Sequence, residues 1–206
     1  KPGIELCREL IKYKTKDDNV FILENHGLIV CGQTLEEVRE LNHEVRFRIK
    51  KLHGKILDKP KEAIDDKIDL INTGYKYCKD KFINNLAFQK SWINKLSQGV
   101  LLPDFLVFLG PKITILSIED ENFSDKLEKL SKTPLPSNSC VIIDQHGVLI
   151  RDDALKGTLE IIRCVHDLLC LIPDNAELKY LNKKEISDLL YWEAEHYRQQ
   201  QNILGQ

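Results

Sequence analysis

The chain has no methionine, two tryptophans among 206 residues and no apolar run near the roughly 20 residues that a membrane-crossing helix needs. No charged-then-apolar leader opens it, so a cytoplasmic protein without membrane contact is expected. Its six cysteines (Cys7, Cys31, Cys78, Cys140, Cys164 and Cys170) include no C-x-x-C pair, and a chain this long does not need a disulfide framework. Free thiols in a reducing compartment follow. Neither sign of charge dominates: the net charge is −2 with 30% charged residues interspersed, which argues against a nucleic-acid binder driven by phosphate neutralisation. Phosphate-cradling glycine loops, dinucleotide glycine patterns, the Gly-x-Ser-x-Gly elbow and His-Glu-x-x-His are all missing, which removes any foothold for nucleotide-dependent or serine-hydrolase chemistry. With lysine first and methionine nowhere, the natural protein is expected to carry residues beyond these 206.

What the chain does have is the run Val20 to Gly32 (VFILENHGLIVCG) followed by Thr34 to Val38 (TLEEV). Val20 to Glu24 and Leu28 to Cys31 are β-favouring segments on either side of Asn25-His26-Gly27. Glycine at 27 lets the chain bend while His26 projects from a strand end. Gly32-Gln33 breaks the second strand. Thr34 and Glu37 then have the spacing of a capping box, and Leu35, Val38, Leu41, Val45, Ile49 and Leu52 continue at helical spacing to Gly54.

This ordered unit resembles the class II aldolase/adducin family, in which a hydrophobic strand leads into Asn-His-Gly-Leu, a short strand, a glycine and a helix opening Thr-x-Glu-Glu. Lys1-Pro2-Gly3 and a helical Ile4 to Tyr13 are similar to the segment that precedes this strand in the family, so the resemblance covers about residues 1–53. It implies that His26 is one of three zinc-binding histidines. The other two, an H-x-H pair, and the acid/base carboxylate lie upstream in family members; this sequence has no H-x-H, and no residue of it is assigned the catalytic role. The implied activity is that of a zinc-dependent lyase of carbohydrate metabolism, cleaving a sugar phosphate or related hydroxy-carbonyl compound by a retro-aldol step through a metal-stabilised enediolate, in a homo-oligomer. The alternative is a non-catalytic, adducin-like binding or scaffold protein with an incomplete metal site. Read from the residues alone, without the resemblance, the favoured role of His26 is to bond a neighbouring backbone carbonyl at a tight turn.

Further along, residues 61–98 have helical periodicity, with Gly74 and Asn84-Asn85 as weak points. Leu101 to Gly110 and Ile113 to Ile118 read as strands, Ser124 to Leu130 as a short helix and Thr133 to Ser139 as a loop. Cys140 to Ile150 (CVIIDQHGVLI) then echoes the opening unit: aligned on His26 and His146, the flanking residues are identical or chemically close, which suggests an internal repeat. A helix from about Asp153 to Leu171 follows, and Asn182-x-x-Glu185 opens a last one. His146 reads as a structural turn. His43, His53, His166 and His196 read as surface or groove residues. The expected fold is α/β: a three-layer α/β/α, aldolase-like sheet domain over residues 1–99, followed by a smaller α/β unit over 100–206 that partly repeats it.

Overall fold

A computed structural model describes residues 3–23, 27–53 and 68–191. The chain is mixed α/β and divides into two compact units, Lys1–Gly54 and Lys55–Gln206.

The first unit runs α1 (Ile4–Tyr13), β1 (Val20–Leu23), β2 (Gly27–Val30) and α2 (Leu35–His53). β1 and β2 pair antiparallel, from Val20 opposite Val30 to Leu23 opposite Gly27. The expected capping box forms: the Thr34 hydroxyl accepts from the Glu37 N–H at 3.2 Å, and the Glu37 carboxylate accepts from the N–H groups of Thr34 (3.3 Å) and Gln33 (2.6 Å). Gly32 lets the chain enter this helix closely, since a Cβ there would lie 3.0 Å from the Glu37 Cβ and 3.1 Å from Val38 Cγ2.

The second unit holds a four-stranded sheet in the order β3 (Tyr75–Tyr77), β6 (Gly147–Arg151), β5 (Cys140–Ile143), β4 (Thr114–Leu116), antiparallel except for the β4–β5 pair. Strand alternation sends Cys140, Ile142, Val148 and Ile150 to one face and Val141, Ile143 and Leu149 to the other. On the first face they join a core with Phe105, Leu106, Ile162 and Leu169, from α5 (Pro103–Leu109) and α7 (Thr158–Leu171). On the second they meet Leu127, Phe123 and Leu130 of α6 (Phe123–Ser131). The helix–sheet–helix layering therefore sits in this unit. The expected boundary at residue 99 falls inside it, because β3 before that point and β5 and β6 after it share one sheet.

Three elements differ from the sequence expectation. Residues 75–77 are a strand rather than helix, pairing with β6. The helical stretch instead breaks into α3 (Lys81–Asn84), a 3-10 turn (Asn85–Ala87) and α4 (Lys90–Gln98). Residues 103–109, expected as a strand, form α5; its Phe105, Leu106, Val107 and Leu109 are buried, and a helix buried all round shows no amphipathic period. Pro103 at its first turn and Gly110 at its end (φ 86°) are the punctuation that marks it. α7 begins at Thr158, later than expected, while α6, the 133–139 loop and α8 (Lys183–Leu190), with its Asn182–Glu185 capping box, lie where the sequence puts them.

Candidate functional site

The Asn25-His26 candidate lies outside the described residues, which supply its frame. Leu23 and Gly27 form the last pair of the β1–β2 hairpin on either side of residues 24–26. Gly27 has φ 113°, a value that disfavours any side chain, and a Cβ there would meet no described atom within 4 Å.

The second hairpin gives a fully described counterpart. Cys140 faces Ile150, and Ile143 faces Gly147; adding 120 to each partner number of the first hairpin gives the pairs of the second. The echo seen in the sequence is thus one of register and loop length as well. In this loop Gln145 takes φ 60° and Gly147 φ 138°. The Gln145 N–H donates to the Ala87 carbonyl (2.9 Å), seating the loop on the 3-10 turn, and the His146 Nδ1 lies 2.8 Å from the Asp144 carbonyl oxygen. His146 holds its own turn, as expected. Buried Asn84 braces the same region, donating to the Cys78 carbonyl (3.0 Å) and accepting from the Val148 N–H (3.0 Å).

His166 departs from expectation: it is 1% exposed, not a surface or groove residue. Its ring meets Trp92 (5.5 Å) and Phe82 (5.9 Å) edge-on, its Nδ1 is 2.8 Å from the Asp167 carboxylate, and Cys170 Sγ is 3.6 Å from Nε2. Arg163 stacks over Phe82, 4.1 Å from the ring centre, and joins Asp167 (3.1 Å) to Asp80 (3.1 Å). Burial raises the Asp80 carboxyl, but the N–H groups of Phe82 and Ile83 together with Arg163 outweigh it and hold the group below its ordinary range. The Arg163 guanidinium is shifted up: desolvation opposes its charge, and its bonds to Asp167 and Asp80 prevail. A thiol, imidazole and carboxylate in sequence are the parts of a nucleophilic set. With His166 and Cys170 at 1% and 4% exposure, no substrate can reach the sulfur, and the cluster is a polar brace between α3, α4 and α7. The i, i+4 spacing of His166 and Cys170 on an apolar helix was its sequence signal.

No group of three His, Cys, Asp or Glu side chains able to hold a metal occurs among the described residues. No described helix is long and apolar enough to cross a membrane.

No family model matches the chain, and no curated protein matches it. A solved structure, YgbL from Escherichia coli, described as a candidate aldolase/epimerase/decarboxylase, aligns at 14% identity over 56% of this chain and 56% of its own, with a TM-score of 0.39. A likeness this loose decides neither family nor chemistry.

Proposed function

We propose that this chain belongs to a metal-dependent lyase of the class II aldolase type, acting on a sugar phosphate or related hydroxy-carbonyl compound, with His26 as one ligand of a divalent metal such as zinc. The observation that carries this reading is the Asn25-His26-Gly27 string in the sequence, lying between the paired strands β1 and β2 and followed by the capped helix α2. Strands β1 and β2 pair up to Leu23 and Gly27 on either side of this string, and a Cβ at Gly27 would meet no described atom within 4 Å. A divalent ion there would supply Lewis acidity toward the substrate's oxygens. Oligomeric assembly and residues outside those described would complete the ligand set and contribute the proton-transferring carboxylate.

Metal analysis of the purified full-length protein tests the proposal. The expected result is about one zinc per chain, lost on His26→Ala and retained on His146→Ala. A protein that binds no divalent metal, or loses none on His26→Ala, would instead be read as the non-catalytic, adducin-like binding module.

A further inference from the structure

Lys95 is 6% exposed, an unusual position for an ammonium. It lies on the inner face of α4, with Trp92 and Leu96, whose burial at i, i+3 and i+4 spacing explains why a lysine is carried inward. Its Nζ donates to the Asp174 carbonyl at 2.7 Å, and among the described residues no carboxylate forms an ion pair with it. An ammonium has three donors, so two remain for a partner in the cleft that Lys95 lines.

Beside Lys95 is a cleft of about 540 Å³, which Lys95 lines together with Ser91, Asn94, Gln98, Asp174 and Glu177. The volume is that of a small-molecule site. Its wall is preorganised: the Tyr180 hydroxyl donates to the Lys95 carbonyl at 2.9 Å, and the Ser91 hydroxyl donates to the Asp174 carboxylate at 3.1 Å, tying α4 to the 173–181 segment on two sides. The charges select the ligand. A phosphate dianion would gain one ammonium but face Asp174 and Glu177, two like charges in the same cleft. A monovalent carboxylate bearing hydroxyl groups meets both demands, because its carboxylate accepts the spare Lys95 donors while its hydroxyls donate to the acidic and amide side chains.

The geometry points to a binding site for a small polyhydroxylated carboxylate in this cleft, with Lys95 as its anchor. It is independent of His26. Titration of the full chain with gluconate, followed by amide NMR shifts, tests it, with sorbitol and inorganic phosphate as comparison ligands. Gluconate should shift resonances of α4 and of residues 174–180 and bind more tightly than either comparison ligand. Lys95→Met should weaken it about tenfold or more, the loss of a charge-assisted contact. If that variant fails to fold, the exposed Glu177→Gln and Ser91→Ala carry the test, and at least one should weaken gluconate severalfold. Absence of gluconate binding, phosphate binding as tight as gluconate, or affinity unchanged in a folded Lys95→Met or in both other variants would overturn the assignment.

Discussion

In the sequence His26 and His146 fall between the paired strands of two hairpins of the same register, each followed by a glycine of positive φ. The 144–146 turn is satisfied by short-range bonding between the His146 ring and the Asp144 carbonyl. The 144–146 loop is seated on the Ala87 carbonyl. Arg151 is the other residue whose position outweighs its type. Only 4% exposed, its guanidinium forms a bidentate pair with Asp153 (2.8 Å for both bonds) and donates to the carbonyls of Thr133 (2.7 Å) and Ser137 (3.1 Å), fastening the 133–139 loop to the sheet. Arg151→Met removes every donor and leaves those carbonyls facing an apolar side chain. Urea denaturation should show a loss of about 2–4 kcal/mol; a change within ~0.5 kcal/mol, usual for a surface site, would show the loop is held by other means.

At the scale of elements, α3 illustrates how a cap becomes a pH dependence. Asp80 is its N-cap, accepting from the Phe82 N–H (2.8 Å) and the Ile83 N–H (3.3 Å), and it also receives Arg163 from α7. Its folded carboxyl titrates below the ordinary value of 3.8. A lowered carboxyl stabilises the fold at pH above the unfolded value, and that contribution disappears as the pH falls through the folded value. Asn at position 80 keeps a capping oxygen but cannot titrate. Asp80→Asn should therefore be less stable than the parent at pH 7 and lose less of its stability between pH 5 and pH 2, read from thermal midpoints across that range. Parallel acid limbs for the two proteins would show that Asp80 is not a source of acid sensitivity. α5 shows the complementary lesson. Apart from Asp104 its seven residues are apolar, and only Pro103 and Gly110 distinguish a short buried helix from a strand.

For the whole molecule, the core is unevenly divided. Every buried residue among those described lies between Thr73 and Leu181, in the second unit, while Ile4, Ile11, Ile22, Leu35 and Phe47 of the first are 61–77% exposed. A two-stranded hairpin with two helices and no buried residue lacks the apolar burial that offsets chain entropy. Expressed separately, residues 55–206 should unfold cooperatively by far-ultraviolet circular dichroism, whereas residues 1–54 should show no cooperative transition. A sigmoidal melt from the isolated 1–54 segment would refute this division of stability.

Local chemistry was enough to determine the two histidine hairpins, the capping boxes at Thr34 and Asn182, the glycine stops and the α/β class, because each depends on residues within a few positions of one another. The same local string carried the proposal for His26. Tertiary structure alone decided that Tyr75–Tyr77 joins the sheet, that Lys95 and His166 turn inward, and that the main core belongs to the second unit. Those outcomes depend on partners nearly 80 residues away, such as Arg151 for Tyr75 and Asp174 for Lys95, and periodicity within one segment carries no information about what packs against it.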